Sequence, residues 1–420
     1  MRKSRIVTLA VIAAAFCLAV NNATAENWPG WRGPLGTGVT TETGIVGKWS
    51  SDDNVLWKSP LPGMGISNPI IWNDRVVVTA SDGYQLSNLH VICLSLKDGR
   101  ELWHQRLWGT RPTRHHGSKS SMASAAPVTD GRHVFAFFGT GDLFCIELAT
   151  GGLVWQRSLA AEYGAIENRF AASSSPLLHG DKLLLQCDHY GDSYLLAVDK
   201  ATGKNVWKVE RPERWLSWAS PLLVPLVDDK FELVVSGSHQ LESFDPDTGK
   251  KLWTVDGMSR ECIPTPLYAH GMIYAVSGPK GPTLAIKPGG RGNVTESHVV
   301  WRNTRGAPFV PSAILVGDFY YLIDDQGIGT CLNAHTGERV WQKRFTGKYT
   351  ASPIAADGRI YFVNEAGLTT VIQAGVSNYV ELARNNVGEA VFASPSIAQR
   401  RLFIRTSRHL FCIGTAKSKR

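Results

Sequence analysis

One unit recurs along this 420-residue chain, and the recurrence limits its fold more than any other feature. A proline, in most cases behind Asn, Ala, Ser or Thr, appears at Pro69, Pro127, Pro176, Pro221, Pro266, Pro311, Pro353 and Pro395, at intervals of 58, 49, 45, 45, 45, 42 and 42 residues. The clearest unit is 124–155, SAAPVTDGRHVFAFFGTGDLFCIELATGGLVW. It reads as a small-residue strand at 124–128, an apolar strand at 134–138, an alternating strand at 143–148 and a closing strand at 153–155. Asp130-Gly131, Gly139, Gly141 and Thr150-Gly151 punctuate them. Short β-rich runs separated by such turns are the pattern of antiparallel hairpins. Four short strands at this period indicate propeller blades rather than helical repeats.

Other positions repeat with the proline. An Asp-x-x-Thr-Gly turn precedes the last strand at 199–203 and 245–249, with the variant 333–337. Four residues after the turn Gly comes Trp, as in Gly99/Trp103, Gly151/Trp155, Gly203/Trp207, Gly249/Trp253 and Gly337/Trp341. Trp301 takes that place in the fifth unit after an insertion at 289–298, and the seventh offers only Tyr379-Val380-Glu381. A large ring on each outer strand is suited to docking against the neighbouring blade. The eighth unit, 394–414, stops after three strands, while 54–59, with Trp57, is a spare strand ahead of the first unit. Joining the two leftovers closes the ring and removes exposed sheet edges. The expectation is an all-β, eight-bladed β-propeller of four-stranded antiparallel blades, a single domain over 54–414 closed by the N-terminal strand. Seven blades is the alternative if the weak seventh unit is not a blade.

The flanks read differently. Arg2, Lys3 and Arg5, then an apolar run at 6–20 and Ala23-Thr24-Ala25, have the form of a cleaved secretory signal over 1–25, which implies a periplasmic or secreted protein. The apolar run is short for a membrane span, and no later segment is a candidate. A lead segment, 26–53, precedes the propeller, and 415–420 is a basic tail. Loss of the signal takes the formal charge from +8 to +5, a mild excess with no basic run or nucleic-acid motif. Cys93, Cys145, Cys331 and Cys412 occupy one slot of different units, too far apart to bridge, so buried free thiols are expected. Cys187 and Cys262 are left open.

The segments AVDKATGKNVW, SFDPDTGKKLW and CLNAHTGERVW resemble the repeat of the pyrroloquinoline-quinone-type (PQQ-like) propeller family, over essentially all of 54–414. The opening WPGWRGP at 28–34 is similar to secreted, planctomycete-type members. That family's fold serves both a non-enzymatic outer-membrane assembly lipoprotein and the quinoprotein dehydrogenases, so the resemblance implies fold more than function.

Enzyme motifs are absent: no Gly-x-Ser-x-Gly, His-Glu-x-x-His, Gly-x-Gly-x-x-Gly or calcium loop of alternating acids occurs. No two Cys are adjacent, unlike the vicinal pair of alcohol-type quinoproteins. The loops from each Trp strand to the next unit are long and carry 16 Lys/Arg against 7 Asp/Glu. A basic loop face favours anionic partners. Residues entering the central funnel from these loops include Arg169, Arg214, Trp215, Trp218, Arg260 and Tyr349, a set suited to clamping a planar acidic or sugar-like ligand. His115-His116 lacks further metal ligands in sequence. The favoured expectation is a monomeric, non-catalytic binding or scaffold protein of the cell envelope, with an envelope protein or an anionic or sugar-like ligand on the loop face and neither catalytic nor metal residues. The alternative is a PQQ-dependent oxidoreductase of alcohols or sugars, with PQQ and calcium in the funnel.

Overall fold

The computed structural model describes residues 26–111, 119–212, 214, 216–278 and 281–415. The expected signal, His115-His116, Trp215 and all but Thr415 of the tail lie outside them.

Eight antiparallel sheets form an eight-bladed β-propeller, one for each sequence unit. The first blade runs from Ile70–Trp72 to Glu101–Trp108, and the seventh, weakest in sequence, is complete from Ile354–Ala356 to Glu381–Asn386. The eighth joins both ends of the chain: Val55–Pro60 pairs antiparallel with His409–Ile413. Seven of the eight repeat prolines place the next residue at the start of an innermost strand, Pro311 being the exception. In the 124–155 unit that strand is Val128–Thr129, so Pro127 precedes it rather than lying within it. Proline there forces its predecessor into extended backbone and starts the strand cleanly.

The Thr-Gly turn and the Trp slot act together. Asp199 Oδ1 accepts from the Thr202 backbone N–H at 2.8 Å, and Gly203 takes φ 72°. The ring of Trp155, from the blade before, lies so close that a Cβ on Gly203 would sit 2.9 Å from it. The indole N–H then donates to the Lys200 carbonyl at 3.0 Å. Trp57, Trp103, Trp207 and Trp301 repeat this on Leu96, Leu148, Pro246 and Ala334. Glycine is needed there both for its positive φ and for the close approach of the ring. Trp253 departs from the pattern. The insertion folds back as Gly292–Asn293, pairs parallel beside it as a fifth strand, and the indole donates to buried Glu232 at 2.8 Å.

Two sequence registers are corrected. The Trp slot of the seventh blade is Ala383, opposite Val371, not Tyr379-Val380-Glu381. Its missing ring is replaced from the lead segment: Trp49 packs on Tyr361 at 6.2 Å between centroids, as Trp341 packs on Tyr321 at 6.0 Å. In the sixth blade the residue equivalent to Ser352 and Ser394 is Ser312, one position after Pro311. Pro311 is therefore out of line with the other prolines by two residues.

The lead segment is part of the propeller. Trp28 exchanges backbone hydrogen bonds with Ile71 in blade 1, Arg32 donates to the Ala313 carbonyl in blade 6 at 2.6 Å, and Val39 pairs with Ala355 in blade 7. Glu42 accepts from the Gln399 and Arg400 backbone in blade 8. Those contacts fall on the tight-turn face, so the segment crosses that mouth of the ring. The six cysteines among the described residues are all free and buried, Cys187 and Cys262 included. Burial pushes each thiol up to about 12, as expected of apolar filling. Among the described residues no helix is long and apolar enough to cross a membrane.

Candidate functional site: the channel and the loop face

The channel wall begins with a rule of the repeat, a hydroxyl residue just before the inner strand in blades 3 to 8, where blades 1 and 2 have Asn68 and Ala126. From blade 2 to blade 7 the backbone N–H at this position donates to the hydroxyl in the next blade. Ala126 donates to Ser175 at 3.0 Å, Ser175 to Ser220 at 2.9 Å, and Ser220 to Thr265 at 3.2 Å. Thr265 donates to Ser312 at 3.0 Å, Ser312 to Ser352 at 2.9 Å, and Ser352 to Ser394 at 2.9 Å. At the seam the Ser396 hydroxyl donates to the Pro69 carbonyl at 2.6 Å. Buried backbone donors demand partners, and this belt supplies them. Trp31 enters the belt from the lead segment, its indole N–H donating to Thr265 at 2.9 Å.

At the level of this belt the described residues enclose a space of about 90 Å³, against roughly 300–1,000 Å³ for ordinary small-molecule pockets. Among the described residues its lining is hydroxyl and apolar, with Trp31, Trp218 and Phe392 and no charged side chain. Pyrroloquinoline quinone carries carboxylates, and calcium needs oxygen anions beside it. The residues of this channel do not fit either. A second hollow of about 550 Å³, mostly apolar, opens on the turn face between the lead segment and the inner strands of blades 2–5.

The described members of the expected clamp do not converge. Trp218 is buried in the channel wall, donating to the Ala171 carbonyl at 3.0 Å and meeting Phe170 edge-on at 5.6 Å. Arg169 is exposed over the Phe170 ring at 5.1 Å. Tyr349 is a core residue, fully buried against Phe345. Arg214 turns inward, its Nε 3.1 Å from Glu242, with Gln240 on its other nitrogen. Arg260 is exposed at the rim.

Arg214 joins a buried charge cluster that sequence reading missed. Arg211 Nη1 lies 2.6 Å from both Asp188 oxygens, and its Nη2 is 2.8 Å from Glu242. Lys251 reaches the other Glu242 oxygen at 2.6 Å. Burial raises the Asp188 carboxyl to about 6 despite Arg211. Burial acts the same way on Glu242, but Arg211, Lys251 and Arg214 outweigh it and bring that carboxyl down to about 2. Asp188 and Glu242 sit on adjacent blades, so the cluster fixes the loop between blades 3 and 4. Only Gln186 and Asp188 breaking an otherwise apolar strand end hinted at it.

The loop face keeps a rim of cations. Arg169, Arg260, Arg305 and Lys348 come from four different inter-blade loops and are exposed. Among the described residues none has an acidic partner within 4.0 Å; by contrast Lys119 is tied to Glu365 at 2.6 Å.

Comparison with known proteins agrees with this architecture. The family model described as outer membrane protein assembly factor BamB (PQQ_2) matches residues 37–192 and 191–419. The assembly factor BamB of Burkholderia pseudomallei is 24% identical over 60% of this chain, and the match spans 64% of that relative's length. The crystal structure of BamB from Moraxella catarrhalis superposes with a TM-score of 0.61 at 15% identity, over 86% of this chain and 98% of that one. The quinohemoprotein alcohol dehydrogenase of Comamonas testosteroni superposes with a TM-score of 0.69 at 13% identity, over 94% and 82%. Identities this low establish the shared fold and nothing about chemistry. The match of the family model along nearly the whole ring places the chain in the BamB-type PQQ-like propeller family.

Proposed function

We propose that this protein is a non-catalytic scaffold of the cell envelope that takes an acidic segment of an envelope protein on its loop face. The observation that carries the reading is the rim of Arg169, Arg260, Arg305 and Lys348, four exposed cations with no acid within 4.0 Å among the described residues. Cations on a rigid ring steer an acidic partner and set its register. The described residues lining the channel beneath them enclose a small, uncharged space, which favours a surface role over a buried reaction. The relatives' description as outer membrane protein assembly factors agrees with an envelope setting.

The test is affinity capture from envelope extracts with the mature chain and with Arg169→Glu, Arg260→Glu and Arg305→Glu combined. A partner lost from the triple variant, and weakened by salt in the parent, supports the reading. Identical capture by both proteins refutes this face. The rival reading, a PQQ-dependent oxidoreductase of alcohols or sugars, rests on the shared fold. Titration of PQQ with calcium, followed by quinone absorbance and dye reduction, separates the two. Saturable cofactor binding at micromolar concentration overturns the scaffold reading.

A further inference from the structure

On the turn face, away from the cationic rim, the seams into blades with a Thr-Gly turn bring it against the first-hairpin turn of the blade before. Two seams carry opposite charges there. Asp130 meets Lys200 at 3.1 Å, and Asp247 meets Lys182 at 3.0 Å and His179 at 3.6 Å. The seam between blades 5 and 6 is different. His335 occupies the turn position that Asp247 holds in blade 4, and it faces His270 rather than a cation. The two imidazoles are nearly parallel, 8° apart, with centroids 5.1 Å from each other. Asp318 joins them, its Oδ1 3.1 Å from His335 Nε2. Donor atoms of all three residues lie within 4.8 Å of one another.

We propose that His270, Asp318 and His335 form a site for a divalent transition-metal ion that links blade 5 to blade 6. Two imidazoles and a carboxylate are a donor set for zinc, copper, nickel or cobalt, not for magnesium or calcium, which take oxygen ligands. Bonds of about 2.0–2.2 Å to one ion place neighbouring donors roughly 3–3.5 Å apart. The Asp318–His335 contact already has that spacing, so only His270 has to swing inward, and its exposed side chain is free to do so.

The three carriers are held by backbone geometry. His270 takes φ 52° in a tight turn before Gly271. The Asp318 carbonyl accepts from Ala334 N–H at 2.8 Å, and the His335 N–H donates to Asn333 Oδ1 at 2.9 Å. The donors thus come from two blades on rigid hairpins, and three protein ligands leave a coordination position open to water or to a side chain of another molecule.

The test uses the full mature chain, free of any histidine tag, titrated with zinc chloride by calorimetry and with cobalt(II) by visible absorption. One ion per chain and a tetrahedral or five-coordinate cobalt spectrum are expected. His270→Ala, His335→Ala and Asp318→Asn should each weaken binding roughly tenfold or more. All three residues are exposed, so unchanged circular dichroism would show that the fold survives. Absence of saturable binding overturns the proposal. So does binding unaltered in His270→Ala, which would put the ion on one blade or elsewhere.

Discussion

Trp49 offers a sharp test of how the ring is sealed. It is 5% exposed and stands over Tyr361 where blade 7 has only Ala383 in its Trp slot. Truncation to alanine uncovers on the order of 150–250 Å² of ring surface. At about 25 cal/mol per Å² that is about 4–6 kcal/mol, and partial collapse of the site brings the expectation to about 3–5 kcal/mol. The loss is one of packing. The Trp49 backbone N–H keeps its 3.0 Å bond to Asn385 in the variant, and the indole N–H has no acceptor among the described residues. Trp49→Phe should therefore cost well under half as much as Trp49→Ala. Trp57→Phe also gives up the 2.9 Å bond to the Leu96 carbonyl, and should cost more than its change in size implies. Urea unfolding gives the midpoints, and amide hydrogen exchange at 381–386 locates the damage. An unchanged midpoint for Trp49→Ala, or slow exchange kept at 381–386, would refute the assignment of Trp49 to the empty slot.

Three other substitutions probe the rest of the frame. Ser220→Ala strips the acceptor from the Ser175 N–H and should destabilise the protein by about 1–3 kcal/mol; a midpoint equal to the parent's would show that the belt is ornamental. Arg211→Met leaves Asp188 and Glu242 buried with too few cations and should cost about 3–5 kcal/mol, with part regained when Asp188→Asn is added, as read by denaturant titration. Glu389 holds the chain seam through Thr406 at 2.5 Å, His409 at 2.9 Å and Lys58 at 3.0 Å. Burial opposes its ionisation, but these partners bring its carboxyl from 4.5 down to about 2. Its stabilisation is therefore complete above pH 4.5 and lost as pH falls toward 2. Exchange at 55–60 should accelerate across that window in the parent and stay flat in Glu389→Gln.

The frame was legible because it repeats. Proline returns every 42–58 residues and Trp stands four residues after the turn Gly, so strand count, blade count and the closing strand follow from spacing. What escaped was set by contacts between distant residues. Trp49 replaces the slot tryptophan of a blade more than three hundred residues downstream, and nothing local to Ala383 announces it. Pro311 misled because the repeat is kept by the hydroxyl of Ser312, not by the imino acid. Arg214 reads as a free cation in its loop, but its acid, Glu242, lies in the third strand after it. His270 and His335 belong to different units, and only superposing turn positions across seams brings them together.

The split eighth blade has a consequence for how the molecule reaches its fold. Apart from the added strand Gly292–Asn293, blades 1 to 7 are meanders in which each strand pairs with a near neighbour in the chain, so they can form as local hairpins. The pairing of Val55–Pro60 with His409–Ile413 joins residues about as far apart as this chain allows. Closing a loop of that length costs on the order of 5 kcal/mol in chain entropy, and the surfaces that offset it exist only once the first and seventh blades stand ready on either side. Closure is therefore the late, cooperative step. Until it occurs the molecule is an open arc with two unsatisfied sheet edges, the form in which it is most exposed to proteases and to pairing with another copy of itself.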